Sequence, residues 1–252
     1  MDKHSPGTIS VERTGTIARV VIDKSVTRNA LDFDLIMQLT DVAKTLREQD
    51  DVRVVILHGV DGCFSAGADK NETRFFPEKI IPSHFRRSAN MGFEMVSLWN
   101  ALPQVTIAAI EGPAVGGGLS LAMACDMRIM GTSAFAFVPE VDLNVVYGWR
   151  SVPRLISLIG PSRTKRLILL TEKVSAARCY EWGLADEVVP DGQVMLLAQK
   201  WAETIAEKPP MPTRLVKSAV DAISTVFDRI GAHADTEQML ASLMAARLEE
   251  RD

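Results

Sequence analysis

The stretch that decides the fold reads GPAVGGGLSLAMACD and spans residues 112–126 of the 252-residue chain. It follows residues 105–110, an apolar run of the kind that forms a buried strand. Its three central glycines allow the backbone to approach a ligand closely, and the small apolar residues after them predict a short buried helix. Because the first N–H groups of a helix lack intrahelical partners, we expect free donors at these glycines.

A second stretch, CFSAGAD at residues 63–69, follows a predicted buried strand at 52–57 and a turn at 59–62. Two N–H donors that converge from such stretches form an oxyanion hole, in which each donor contributes about 3–4 kcal/mol. Each stretch alone is also compatible with a tight turn or with close packing of a helix on a strand. Neither GxGxxG nor GxxxxGK[ST] spacing occurs in the chain, which excludes the Rossmann and P-loop interpretations.

Strands and helices alternate through the first half of the chain, and the second half is predicted to be mostly helical. The predicted strands are 17–22, 52–57, 105–110, 127–130 and 134–137. The predicted helices are 31–48, 83–102, 116–124, 150–158, 162–170, 176–182, 194–206, 213–230 and 236–250. This order indicates an α/β core that is followed by a helical C-terminal part.

Composition excludes several classes of function. The chain has 28 Lys and Arg against 32 Asp and Glu, a net charge of −4, so it lacks the general positive field of a non-specific nucleic-acid binder or a polybasic membrane anchor. It also lacks an apolar signal segment at its N-terminus and a run of about 20 apolar residues, so we expect no membrane span. Three cysteines without CxxC spacing argue against disulfides and a metal site and favour a reducing cytoplasm.

The glycine-rich stretches carry a family resemblance. FSAGAD at 64–69 resembles the FxAGAD signature of the crotonase, or enoyl-CoA hydratase/isomerase, superfamily, and residues 112–126 resemble its GxAxGGGxxLAxxCD segment. NAL at 29–31, FVPE at 137–140 and WGLADEVV at 182–189 resemble three further elements, in the family's order. The resemblance implies a crotonase-like ββα spiral core over residues 1–190. It also implies a C-terminal helical trimerisation region over residues 191–252, and a homotrimer or a dimer of trimers.

The resemblance also implies what the site binds. Members of the superfamily bind acyl-CoA thioesters and need no cofactor besides the CoA of the substrate. Two backbone N–H groups polarise the thioester carbonyl and stabilise the enolate, and by motif position they belong to Ala68 and Gly117. The other positions implied to bind the substrate are Arg28, Ser65, Ala66, Gly67, Asp69, Ser120 and Gly148. Lys24 and Arg28 are candidates for the CoA phosphates, and the backbone near Ser65 and Ala66 is a candidate for the adenine.

The candidate acid–base residue is Glu140. Hydratases of the superfamily use two glutamates, but this chain has Ser120 at the first of those positions and keeps only Glu140 at the second. A single carboxylate can remove a proton from C2 of a 3-enoyl thioester and return it at C4. The resemblance therefore favours Δ3–Δ2 isomerisation, with Glu140 as base and then acid. The apolar residues near it, such as Phe137 and Val138, are expected to raise its pKa toward the working pH.

Three alternatives stay open at this stage. Glu140 alone could activate water in an enoyl-CoA hydratase. GLSLA at 118–122 approaches a nucleophile elbow, although its last residue is Ala instead of Gly, so Ser120 could serve a serine hydrolase. The chain could also be a non-catalytic acyl-CoA-binding homologue. In addition, YGWR at 147–150 replaces a glycine-rich stretch of the hydratases, and Arg150 could either bind a substrate carboxylate or have a structural role.

Overall fold

The computed structural model describes residues 7–75, 77–228 and 234–249. The strands are β1 Thr8–Thr14, β2 Ile17–Asp23, β3 Val54–Gly59, β4 Val105–Ile110, β5 Pro113–Val115, β6 Met127–Gly131, β7 Phe135–Phe137, β8 Val174–Ser175 and β9 Glu187–Val189. The helices are α1 Phe33–Arg47, α2 Pro82–Asn100, α3 Gly117–Ala124, α4 Ser151–Leu169, α5 Ala176–Trp182, α6 Val194–Ala206, α7 Pro210–Ser224 and α8 Asp235–Glu249. This arrangement confirms the predicted α/β class.

The strands form two sheets between which the chain alternates. The larger sheet has the order β1-β2-β3-β4-β6-β9 and is parallel except for the hairpin of β1 and β2. The smaller sheet has the order β5-β7-β8, with β5 parallel to β7. Since β4 leads directly into β5, and β6 into β7, each strand pair crosses from one sheet to the other before the next helix. This alternation produces a ββα spiral.

The larger sheet is covered on both faces. Val55 and Leu57 of β3 face the core that includes α1, α2 and α3, whereas Val54 and Ile56 face α6. Every residue of α3 is buried, as expected for a helix that is apolar on all sides except at Ser120. No helix in the described ranges is long and apolar enough to cross a membrane. The domain boundary at residue 190 stays a prediction, although α6 beyond it packs directly on β3 and β4.

Several elements differ from the sequence prediction. Strand β1 was not predicted, because its side chains are almost all exposed and give no buried apolar face. Strands β5, β8 and β9 were also not predicted. Each is only two or three residues long, so its formation depends on pairing with neighbouring strands. The two helices predicted at 150–158 and 162–170 form one segment, α4, which Gly160 interrupts with φ 77° and ψ 165°. Helix α7 begins three residues before the predicted 213 and ends at Ser224, and residues 229, 230 and 250 of the predicted helices lie outside the described ranges.

Helix α7 exposes the apolar stripe that its sequence predicts. Leu215, Val216, Val220 and Ile223 are all more than half exposed, and no residue of the helix is buried. An ion pair between Lys217 and Asp126 attaches the helix to the end of α3. The stripe therefore has no apolar cover from the described part of its own chain.

Lys24 is a buried structural cation, which corrects its assignment to the CoA phosphates. Its Nζ lies 2.5 Å from Asp32 Oδ2 and 3.1 Å from Asp69 Oδ2. Asp32 also caps α1 by accepting a hydrogen bond from Leu35 N at 2.8 Å. Burial disfavours the charged ammonium, but the hydrogen bonds to Asp32 and Asp69 outweigh it and raise the pKa of Lys24. Lys24 thus connects β2, the start of α1 and the loop at 65–69.

Lys24→Met should lower the free energy of unfolding by about 3 kcal/mol, because it leaves two carboxylates facing each other in a largely buried place. Lys44→Met is the matched control. Lys44 pairs with Glu94 where both side chains are more than half exposed, so the loss there should stay below about 1 kcal/mol. Urea denaturation of the two variants and the wild type measures the difference. Equal losses would show that the buried pairing does not stabilise this loop.

Candidate active site

A cavity of about 290 Å³ brings together eight of the ten predicted site residues. The loop after β3, the turn from β5 into α3, the segment from β7 to α4 and the face of α8 enclose it. The predicted residues that line it are Arg28, Ala66, Gly67, Ala68, Gly117, Ser120, Glu140 and Gly148. Most of the remaining lining is apolar or aromatic, and Ser65 and Asp69 lie behind it.

Two free backbone donors lie on adjoining loops. Neither Ala68 N–H nor Gly117 N–H has a hydrogen-bond acceptor among the described residues. Gly67 brings the loops together, since a Cβ atom there would lie 2.6 Å from the Val115 carbonyl oxygen and 3.5 Å from Gly117 N. Its φ of +85° also favours glycine. Both free N–H groups belong to residues that line the cavity, which makes them the candidate donors of an oxyanion hole.

Glu140 places its carboxyl group in the cavity against the same turn. Its Oε1 lies so close to Gly116 that any side chain at that position would collide with it. Its Oε2 is buried and has no hydrogen-bond partner in the part of the chain that the structure describes. Burial raises the pKa of Glu140 from 4.5 to about 7, in the direction expected from its apolar neighbours. The group can therefore both accept and return a proton near neutral pH.

Ser120 belongs to a network of hydroxyl groups. Its Oγ lies 2.6 Å from Ser151 Oγ and 3.1 Å from Tyr147 Oη. Tyr147 Oη in turn donates to the Gly116 carbonyl oxygen at 3.1 Å. No histidine lines the cavity within the described ranges, so Ser120 has no general base of the kind that a serine hydrolase uses. No sequence motif pointed to Ser151, and Tyr147 was noted only as part of the YGWR stretch at 147–150.

Ser65 and Asp69 shape the loop and do not face the ligand space, which corrects their assignment to substrate binding. Ser65 Oγ donates to Asn29 O at 2.8 Å and accepts from Gly67 N at 3.1 Å. Its backbone N–H and C=O are also used, by Pro113 O and Val115 N, so they are not available to an adenine. Asp69 pairs with Lys24 and accepts from the backbone N of Asn71 at 3.0 Å.

Three exposed cations lie on the lining of the cavity. Arg28 was predicted there, whereas Lys70 and Lys173 were not. Lys173 Nζ lies 5.2 Å from the ring centre of Phe135 in a cation–π contact. Lys70 directly follows the FSAGAD stretch, so its position in the sequence could have identified it. Lys173 is more than 100 residues from that stretch, and only the pairing of β7 with β8 brings it near.

Trp149 and α8 close the inner part of the cavity. The indole ring packs so closely on Gly92 and Gly117 that a side chain at either position would collide with it. Met239 of α8 packs on Gly148, where a Cβ atom would lie 2.5 Å from its sulfur atom. No local pattern in the sequence indicates this role of α8. The absence of a side chain at Gly148 thus allows α8 to approach the cavity.

Arg150 is absent from the cavity lining, which favours the structural role over the binding of a substrate carboxylate. Its guanidinium lies 4.2 Å from the ring centre of Phe93 on α2. Its backbone N donates to Asp235 Oδ2 at 2.9 Å, which joins the start of α4 to the start of α8. Arg150 therefore has a structural role.

Known proteins with similar sequences and structures identify the family. A family model described as enoyl-CoA hydratase/isomerase matches residues 12–250. The chain is 36% identical over 206 residues to the probable enoyl-CoA hydratase 2, mitochondrial, of Arabidopsis thaliana, covering 81% of this chain and 67% of that protein. It is 34% identical over 221 residues to the enoyl-CoA isomerase/hydratase fer4 of Mycosarcoma maydis, covering 84% and 78%.

A solved structure supports the same assignment. The crystal structure of an enoyl-CoA hydratase from Bacillus anthracis superposes with a TM-score of 0.81 at 32% identity, covering 94% of this chain and 91% of that one. This similarity confirms the crotonase-like spiral that the sequence motifs imply. The chain is therefore an enzyme of the enoyl-CoA hydratase/isomerase family.

Proposed function

We propose that this enzyme isomerises 3-enoyl-CoA thioesters to 2-enoyl-CoA thioesters. The observation that carries the proposal is that Glu140 is the single carboxylate on the cavity lining within the described residues. A double-bond shift needs one group that moves a proton, whereas hydration needs a base for the water and an acid for C2. The site therefore supports isomerisation better than hydration.

The reaction proceeds through an enolate. The Glu140 carboxylate removes a proton from C2, and the electron pair of the C–H bond delocalises onto the thioester oxygen. The N–H groups of Ala68 and Gly117 stabilise the negative charge on that oxygen. The carboxyl group then delivers the proton to C4, while the double bond moves from C3–C4 to C2–C3. A pKa of about 7 suits Glu140 to both transfers.

The hydroxyl network argues against a second acid. Ser120 stands where the superfamily's hydratases carry a glutamate, and its hydroxyl group lies next to those of Tyr147 and Ser151. Burial raises the pKa of Tyr147 further above its ordinary value. These groups donate hydrogen bonds but give up a proton reluctantly. Hydration by Glu140 alone is the second candidate, and names of relatives that contain the word hydratase favour it.

The substrate is an acyl-CoA whose phosphates bind to the exposed cations of the lining. Arg28, Lys70 and Lys173 give this part of a chain with net charge −4 a local positive charge. Glu140 carries the one carboxylate on the described lining, and this group lies against Gly116. CoA phosphates are therefore attracted to the cations, while the acyl group enters the apolar space. We propose no cofactor besides this CoA.

The assembly in this proposal is a homotrimer or a dimer of trimers. The exposed apolar stripe of α7, with Leu215, Val220 and Ile223, supports it, since burial of such a surface between copies is favourable. A cytoplasmic location stays a prediction.

The proposed reaction is tested by offering the purified protein 3-hexenoyl-CoA and 2-hexenoyl-CoA in separate assays. Isomerisation yields a product of unchanged mass, whereas hydration adds one water and hydrolysis releases free CoA, and liquid chromatography coupled to mass spectrometry separates each product from the unreacted substrate. We expect turnover of 3-hexenoyl-CoA to exceed hydration of 2-hexenoyl-CoA by at least about tenfold. Faster hydration would establish the hydratase alternative, CoA release would favour hydrolysis, and no turnover would favour the non-catalytic homologue.

Glu140→Gln should lower kcat by about 10³-fold, because the amide cannot accept the C2 proton. The Kd for the non-reactive thioether S-hexyl-CoA should stay within about twofold of the wild-type value. Glu94→Gln is the matched control, since Glu94 is exposed on α2 and should keep full activity. Isomerisation that survives Glu140→Gln would show that another residue is the base.

The pH dependence of kcat/KM should follow the ionisation of Glu140. The base is active as a carboxylate, so with a pKa of about 7 the rate reaches a plateau above pH 8 and falls about 100-fold by pH 5.

The same raised pKa means that the folded protein binds an extra proton between pH 4.5 and 7, so Glu140 reduces stability as pH rises through that range. Glu140→Gln should therefore raise Tm at pH 8 and leave it nearly unchanged at pH 4.5. Rate profiles from stopped assays and thermal melts at both pH values measure these effects, and a profile that is flat from pH 5 to 8 would contradict the assignment.

A further inference from the structure

We infer that Tyr147 is a positioning residue that fixes the orientation of the Gly116–Gly117 peptide and strengthens its N–H group as a donor to the thioester oxygen. The inference rests on the proposed function only in using Gly117 N–H as one of the two oxyanion donors. It assigns a specific task to a hydroxyl group that the proton transfers do not use.

The geometry starts from one peptide unit. The carbonyl of Gly116 and the N–H of Gly117 belong to the same planar group, so a contact that fixes the oxygen also fixes the direction of the N–H bond. Tyr147 Oη donates to this oxygen at 3.1 Å and Ser120 N donates to it at 3.0 Å, and Ser120 Oγ lies within hydrogen-bond distance of it at 3.2 Å. The N–H group on the other side of the peptide unit is that of Gly117, which lines the cavity. This N–H group has no hydrogen-bond acceptor among the described residues.

The peptide needs such a constraint. Gly116 has φ 46° and ψ −117°, a conformation that residues with a side chain rarely adopt. Its own N–H is held by Phe137 O at 2.9 Å, so the preceding peptide is fixed by β7. Rotation of the next peptide about the flexible glycine would turn Gly117 N–H away from the ligand. The hydrogen bond from Tyr147 opposes that rotation.

The tyrosine is itself held in place. It is 5% exposed, and its Oη lies 3.1 Å from Ser120 Oγ, which lies 2.6 Å from Ser151 Oγ. Burial keeps the phenol protonated, so it remains a donor across the working pH range. A hydrogen bond accepted by a peptide carbonyl polarises the unit and makes its N–H a stronger donor. Tyr147 thus acts on the oxyanion hole from behind, without contact to the substrate.

The test is Tyr147→Phe, which keeps the ring and removes one hydroxyl group. The probe is butyryl-CoA labelled with 13C at the carbonyl, a saturated thioester that binds but has no double bond to move. Difference infrared spectra of the wild-type complex should show a carbonyl band at lower frequency than in solution. In Tyr147→Phe the band should move back toward the solution value, kcat for 3-hexenoyl-CoA should fall about 10- to 100-fold, and the Kd of S-hexyl-CoA should stay within twofold.

Tyr180→Phe is the matched control, because Tyr180 is the other tyrosine of the chain and is 53% exposed. It should leave all three measurements unchanged. Ser151→Ala provides a second variant that loosens the network without altering Tyr147, and a smaller band shift in the same direction is expected. If Tyr147→Phe does not fold, as judged by circular dichroism, Ser151→Ala decides the question.

Two results would overturn the inference. An unchanged carbonyl band in the variants would show that the hydroxyl group does not act through the peptide. A basic limb in the wild-type pH profile of kcat that disappears in Tyr147→Phe would show that Tyr147 transfers a proton instead. Because butyryl-CoA does not react, the band shift tests the inference even if the enzyme proves to be a hydratase. Failure of the reaction assay and failure of the inference are therefore distinguishable.

Discussion

The contact between the loop at 63–69 and the turn that leads into α3 is the constraint on which the rest of the site depends. The two backbones run side by side, joined by hydrogen bonds from Phe64 N to Glu111 O at 2.8 Å and from Ser65 N to Pro113 O at 3.1 Å. There is no room between them for a Cβ atom, since one at Gly112 would lie 2.1 Å from Gly62 O. Small residues are required here by packing, and the same packing brings two unpaired N–H groups to one cavity.

The electrostatics of the cavity follow from its apolar lining. An isolated carboxylate is costly in such a place, so Glu140 holds its proton to a higher pH than usual. The burial that makes the carboxylate costly to stability also suits Glu140 to the proposed proton transfers, because a group that is half ionised near neutral pH can both accept and donate a proton. Three cations lie on the exposed part of the lining, among them Lys70, whose charge partly offsets the rise in pKa. Glu140 and the cations that are proposed to bind the CoA phosphates can thus coexist in a chain that is slightly acidic.

Local sequence patterns predicted those features that depend on neighbouring residues. The apolar run at 105–110, the glycines at 116–118 and the position of Glu140 after Pro139 each identified an element that the structure contains. The motif positions of Ala68 and Gly117 also placed both donor residues on the cavity lining. The prediction was wrong for Lys24 and Asp69, because polar side chains next to a glycine-rich motif look the same whether they face a ligand or each other. Only their separation of 3.1 Å in space reveals an ion pair.

By itself, the sequence determined the α/β class, the two glycine-rich turns and the presence of one candidate acid–base glutamate, since each depends on residues that are close together in the chain. The tertiary structure alone decided which distant side chains meet at the site. Tyr147 reaches Gly116, Lys173 reaches the cavity through β8, and Met239 of α8 packs on Gly148. Tyr147 and Gly116 are 31 positions apart in the chain, and the other two contacts also join different elements of the fold. No local sequence pattern encodes contacts between residues that are so far apart in the chain. They arise because the spiral folds back on itself and α8 packs against α2.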